Sequence, residues 1–164
     1  MAVRPPLTRL THPECHKEMT TQASKKTIYF AVSIRGGRDD VPTYSAILEI
    51  LRKFGDVFTE HASAEQLTDR GETASEREVH DRDLAWLKSA DVVVAEVTTP
   101  SLGVGYEIAR ACAWKKPVLC LFRPDSGRSL SAMIAGCPGV TVHEYADIPE
   151  TESIVESFLR AQRE

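Results

Sequence analysis

The apolar run Asp91-Val-Val-Val-Ala-Glu-Val97 passes through Thr98-Thr-Pro100 into Ser101-Leu-Gly-Val-Gly-Tyr-Glu107, and this junction constrains the fold more than any other feature. It reads as a buried strand, a turn of small residues and a new helix. The glycines let a ligand approach the backbone closely, and a fresh helix offers free N–H groups to an anion. Glu107 then stands beside whatever the anion is attached to. A carboxylate repels a phosphate, so its presence there makes sense if it attacks something.

The other segments repeat the same alternation. Ile28-Tyr-Phe-Ala-Val32 is a β-rich run ending in the glycine turn Ser33-Ile-Arg-Gly-Gly37. Residues 42–54 place Tyr44, Ile47, Leu48, Leu51 and Phe54 at helical spacing, and Asp56–Glu60 is a second strand. Residues 63–74 are polar and are expected to form a short helix and a mobile loop. A helix over 75–89 precedes the strand at 91–97, and the helix after it spans about 103–115. Pro117–Phe122 is a fourth strand, a short helix begins at Ser129–Ile134, and Val140–His143 is a fifth strand. A final helix is striped by Ile154, Val155, Phe158 and Leu159. Strand–helix alternation implies a three-layer α/β domain with a parallel sheet. Five strands suggest the flavodoxin-like, Rossmann-like order 2-1-3-4-5. Ligands of such sheets bind beyond the carboxyl ends of the strands, where the order reverses between the first and third. Both glycine turns, at 33–37 and 101–105, fall there.

A length of 164 residues suits one domain, here 27–164. Residues 1–26, with Pro5-Pro6, Pro13 and no lasting periodicity, read as a disordered leader without an apolar secretory core. A net charge of −4 argues against general binding to nucleic acid or membrane surfaces, and no apolar run approaches a membrane span. Of the four cysteines, Cys112 and Cys120 lie in apolar segments and read as reduced core residues. Cys15 lies in the leader. The cysteine spacing shows no metal pairing, and no metal or cofactor is expected. A cytosolic or nuclear protein is the expectation from these features.

Asp83 sharpens the chemical case. It follows Val79 and precedes Leu87 by four residues each, at the edge of the stripe that faces the core. Partial burial raises a carboxyl's pKa and suits it to proton donation, whereas Glu107 near a helix start is favoured as an anion. One carboxylate kept ionised and one kept protonatable is the pattern of glycosidic bond cleavage. Asp83 could equally be a structural carboxylate, and His80, one turn away, either orients it or lies on the surface. Tyr29 either hydrogen-bonds Glu107 or simply packs. Arg35 could grip a phosphate or be solvated, and Ser101 caps its helix with or without an anion present. The helix beyond Glu107 is almost wholly apolar, so it is either buried or packed against a partner.

Taken together, Tyr29–Arg38, Thr59-Glu-His61, His80–Leu87, Ala90–Val97, Pro100–Glu107 and Leu121-Phe-Arg-Pro124 resemble the 2′-deoxynucleoside 5′-monophosphate N-glycosidases, relatives of the nucleoside 2-deoxyribosyltransferases. The resemblance runs in order from about residue 27 to 145. It implies hydrolysis of a deoxynucleoside monophosphate to free base and 2-deoxyribose 5-phosphate, through a covalent glycosyl-enzyme intermediate. Glu107 would be the nucleophile, Asp83 the acid and Tyr29 the support of Glu107. Ser33, Ile34, Arg35, Gly36, Gly37, Ser101 and Gly103 would line the phosphate and sugar site, and His61 would lie near the base. The family implies a homodimer in which Ser131 and Met133 reach the neighbouring pocket. It handles purine deoxynucleotides and modified pyrimidines such as 5-hydroxymethyl-dUMP, pointing to nucleotide-pool sanitation. Two other readings stay open. The same intermediate could pass its sugar to a second base, or the domain could sense nucleotides without turnover.

Overall fold

The computed structural model describes residues 25–34, 40–59 and 75–162. In chain order the elements are β1 (Lys26–Ala31), α1 (Val41–Phe54), β2 (Gly55–Thr59), α2 (Glu76–Ser89), β3 (Val92–Glu96), α3 (Leu102–Ala113), β4 (Val118–Phe122), α4 (Ala132–Ala135), β5 (Thr141–Glu144) and α5 (Ile148–Ala161). The five strands form one sheet in the order β2-β1-β3-β4-β5, and every pairing is parallel. That is the order expected from the alternation of the sequence. The expected element boundaries shift by a few residues, and the expected helix and loop at 63–74 lie outside the described residues.

The strands divide their side chains between two cores, as the two-residue period of a strand demands. Ile28, Phe30, Val92, Val94, Leu119 and Leu121 point towards α1 and α5, where they meet Tyr44, Ile47, Val155 and Phe158. Tyr29, Ala31, Val93, Ala95, Val118 and Cys120 point the other way, towards Leu87 of α2 and Val104, Ile108 and Ala111 of α3. All residues of β3 and β4 are buried. Glu96 obeys the same alternation and falls on the side of α1 and α5, whereas Tyr29 falls on the side of α2 and α3. This division fixes which polar groups can meet on each side of the sheet.

Local signals set the helix starts. Ser75 accepts the Glu78 backbone N–H while the Glu78 carboxylate accepts the Ser75 backbone N–H, a reciprocal cap that starts α2. Asp147 caps α5, with a proline in its first turn. Ser101 caps α3, its Oγ accepting from the Val104 N–H at 3.4 Å. Asp91, just before β3, accepts from both the backbone N–H and the hydroxyl of Thr27, tying β3 to β1 at their amino ends. Their carboxyl ends are then held in fixed register.

Candidate active site

Glu107 and Tyr29 meet on the α2–α3 side of the sheet. Tyr29 is buried at the centre of the sheet, and its hydroxyl donates to Glu107 Oε1 at 2.7 Å. The residues are 78 positions apart in sequence, so this bond exists only because β1 lies beside β3 and α3 returns across both. Burial pushes Glu107 up to about 7. The Tyr29 hydrogen bond opposes that rise, and the negative charge of Asp83 adds to it. Asp83 therefore lies within electrostatic reach of Glu107, although it comes from a different helix.

This geometry corrects one expectation. Glu107 is the sixth residue of α3, not a first-turn residue, and the first turn holds no acidic side chain. The dipole effect fades within the first turn, so it cannot hold Glu107 ionised. Burial dominates, and Glu107 rests near its midpoint of ionisation at neutral pH. The carboxyl whose affinity for protons rises markedly is thus the one expected to stay an anion.

Asp83 is buried, as its place on the stripe predicts. Arg82 grips it: Nε and Nη2 both lie 2.8 Å from the same carboxylate oxygen, Oδ1. The guanidinium also lies 4.7 Å above the Trp86 ring, and Trp86 stacks on Phe58 at 6.2 Å. A Phe–Trp–Arg column thus holds the fork that holds Asp83. Nothing in the hydrophobic stripe pointed to Arg82, because only the three-dimensional stack shows that it is not solvated. His80 does not reach Asp83; it is exposed and pairs with Asp81 Oδ1 at 2.9 Å and the Tyr106 hydroxyl at 3.2 Å.

Around the carboxyl ends of the strands, Ser33 is 2% exposed, and its hydroxyl finds no hydrogen-bond partner among the described residues. An orphaned buried hydroxyl costs free energy unless something else satisfies it. An oxygen-rich ligand would do so. Ile34 packs against the core beside it. Ser101 stands at the start of α3, and Gly103 is exposed in its first turn, where an added Cβ would come 3.7 Å from Ser101 Oγ. Arg35, Gly36, Gly37 and His61 lie outside the described residues.

Ser131 and Met133 are exposed, the latter at 83%. They line a cavity of about 610 Å³ beside the start of α3, whose wall also includes Thr99, Ser101, Val104, Ile108 and Leu130. Leu102 is 96% exposed and Tyr106 nearly half exposed. Among the described residues, the start of α3 is therefore only partly buried. Cys120 is buried as expected, but Cys112 is only half-buried, with its Sγ 4.0 Å from that of Cys137.

The chain resembles known proteins over nearly all of this architecture. The family model described as nucleoside 2-deoxyribosyltransferase matches residues 28–149. The 5-hydroxymethyl-dUMP N-hydrolase of Mus musculus is 53% identical over 140 residues, covering 82% of this chain and 80% of that protein. The Homo sapiens protein of the same name is 52% identical over 140 residues, covering 84% and 79%. Among solved structures, the CMP N-glycosidase of Clostridium botulinum superimposes with a TM-score of 0.58 over 80% of this chain and 98% of its own. At 19% identity that match speaks to the fold. With its five-stranded sheet and with Tyr29, Asp83 and Glu107 inside the matched region, the chain belongs to the nucleoside 2-deoxyribosyltransferase family.

Proposed function

We propose that this protein hydrolyses the N-glycosidic bond of 2′-deoxynucleoside 5′-monophosphates, releasing the free base and 2-deoxyribose 5-phosphate. The observation that carries the reading is the hydrogen-bonded Tyr29–Glu107 pair with Asp83 in electrostatic reach. A sensor has no need of two acidic groups facing one site across two helices. The relatives named above as 5-hydroxymethyl-dUMP N-hydrolases support this substrate class, with 5-hydroxymethyl-dUMP itself as a candidate.

In the proposed reaction the ionised Glu107 attacks C1′ of the sugar. The C1′–N bond breaks, its electron pair goes to the base, and a proton from Asp83 neutralises the departing nitrogen. The product of this step is a deoxyribosyl ester on Glu107. Water then attacks C1′, giving its proton back to Asp83 as the ester bond breaks and Glu107 is regenerated. Tyr29 holds Glu107 in one rotamer and favours its charged form. A sugar without a 2-hydroxyl reaches an oxocarbenium-like transition state more readily, so a single carboxylate beneath the ring gives direct help. Ser33 and the start of α3 would receive the phosphate, with Arg35, Gly36 and Gly37 completing its cradle. Anchoring remote from the broken bond can hold the sugar in an attack geometry. His61 would lie near the base.

The exposed face of α3 and α4 is where a second copy would dock, placing Ser131 and Met133 at the neighbouring site. This accounts for Leu102 and Met133 standing exposed among the described residues. The cell compartment we assign is the cytosol or nucleus, with residues 27–164 acting as one catalytic domain.

A screen of base release across deoxynucleotides, ribonucleotides and the matching nucleosides tests the proposal. Release confined to deoxynucleoside monophosphates supports it, and binding without release from any of them refutes it. The family's transferase description favours one competing reading, in which a second base captures the ester. Incubating a deoxynucleotide with a labelled free base separates the two, because only transfer yields a labelled nucleotide.

A further inference from the structure

On the opposite side of the sheet from Glu107 lies a partly buried polar cluster that the proposed chemistry does not use. Glu96, the last residue of β3, is fully buried; its Oε1 accepts from the Thr98 hydroxyl and from the Tyr145 hydroxyl at 3.1 Å. Arg123 Nε lies 3.9 Å from that same oxygen. The Arg123 Nη2 donates to Asp40 Oδ1, while the Thr99 hydroxyl donates to Asp40 Oδ2 at 2.6 Å. The Arg123 backbone N–H donates to Thr98 Oγ1 at 2.9 Å. Burial pushes Asp40 up, but the bonds from Thr99 and Arg123 outweigh it and leave Asp40 below the usual carboxylate range.

Stability alone does not explain this cluster. Buried ion pairs are often no better than apolar packing of the same volume. Here Glu96 Oε2 and Arg123 Nε are left without hydrogen-bond partners among the described residues. What the cluster does provide is placement, since Asp40, the Thr98–Thr99 pair and Arg123 stand on three different connections at the carboxyl end of the sheet. Asp40 precedes α1 after β1; Thr98 and Thr99 lead from β3 to Ser101; Arg123 leads from β4 towards Ser131. The Asp40–Thr99 bond joins the first two connections directly, and Arg123 braces them from the third.

We propose that Asp40, Thr99 and Arg123 are positioning residues that set the spacing between the Ser33 side and the Ser101 side of the phosphate site, and thereby select phosphorylated over unphosphorylated ligands. The inference rests on the nucleotide reading above and deepens it. None of the three needs to touch the substrate. A displaced connection would weaken the hold on the phosphate while leaving the base and sugar contacts as they are. A purely structural role would lower affinity for both kinds of ligand alike.

The test is calorimetric binding of a deoxynucleoside 5′-monophosphate and of the matching deoxynucleoside, in a Glu107→Gln background that does not turn over, alongside thermal melting. Thr99→Val keeps the side-chain shape but lacks the hydroxyl, and should weaken the monophosphate by about tenfold, the effect of losing one hydrogen bond to a charged group. Its binding of the nucleoside should change less than about twofold, and Thr99→Ser, which restores the hydroxyl, should recover the monophosphate. Asp40→Asn offers a second route if Thr99→Val folds poorly. It removes the charge facing Arg123 and should erode the same preference. Equal losses for both ligands, or an unchanged preference in Thr99→Val and Asp40→Asn, would overturn the positioning role alone. A Glu107→Gln parent that binds monophosphate and nucleoside equally would instead overturn the nucleotide reading itself.

Discussion

Glu107 is a nucleophile candidate held near neutrality, and its surroundings predict how activity depends on pH. Because burial raises it to about 7, the ionised form grows in as pH rises through that value. The limb of kcat/KM that reports it should therefore climb from pH 6 to pH 8. Tyr29→Phe removes the bond that favours the anion. It should shift this limb to higher pH and lower kcat/KM at pH 7 by roughly tenfold, with recovery as pH approaches 9. A uniform loss at every pH would mean that Tyr29 only packs. The same shift carries a stability consequence. A carboxyl with a raised folded pKa contributes most below its unfolded value of 4.5, and the contribution is lost as pH rises through about 7. Glu107→Gln should thus be more stable than wild type at pH 8.5, by up to about 3 kcal/mol in denaturant unfolding, and show less advantage at pH 5. Asp83→Asn removes the proposed proton donor and should reduce base release by about 10²–10⁴-fold, measured on a substrate whose base leaves poorly.

The elements place these residues, and the sequence announces some of that placement better than the rest. The strand order, the Ser101 cap and the buried side of α2 were legible, because each rests on local chemistry: a run of valines, a hydroxyl before a glycine turn, a four-residue period. The protonation preference of Glu107 was not legible. It depends on how deep α3 sinks against β1, a tertiary quantity, and a first-turn argument applied one turn too far gave the wrong sign. Arg82 was invisible for a related reason. Between Asp81 and Asp83 an arginine reads as surface charge, and only the stack on Trp86 and Phe58 shows otherwise. Asp40 and Thr99 lie 59 positions apart, and nothing in either neighbourhood indicates the bond between them. At this scale Gly55 offers a sharp test. A Cβ there would sit 2.1 Å from the Lys26 carbonyl oxygen, a backbone atom that cannot yield without moving β1 against β2. Gly55→Ala should destabilise the protein by about 2 kcal/mol or more in denaturant unfolding, although Gly55 has an extended backbone open to any residue.

For the whole molecule, the sheet acts as a divider: Asp83 and Glu107 lie on one face and the Glu96 cluster on the other. The connections at its carboxyl edge join the two. Leu102 and Met133, on α3 and α4, are exposed among the described residues. If the face that carries them pairs two copies, Met133→Asp combined with Leu102→Asp should turn a dimer into a monomer in sedimentation equilibrium. It should also reduce base release, because Ser131 and Met133 would no longer reach the neighbouring site. A monomeric wild type, or a monomeric variant with full activity, would separate this face from catalysis. The covalent step remains the centre of the account. The most direct measurement is mass spectrometry of wild-type protein quenched during turnover of a deoxynucleoside 5′-monophosphate, with Glu107→Gln alongside. Covalent catalysis by Glu107 should give a deoxyribosyl-phosphate adduct on the peptide containing Glu107, free base in solution, and neither adduct nor base from the variant. Sustained base release by Glu107→Gln, or an adduct on a different residue, would contradict it.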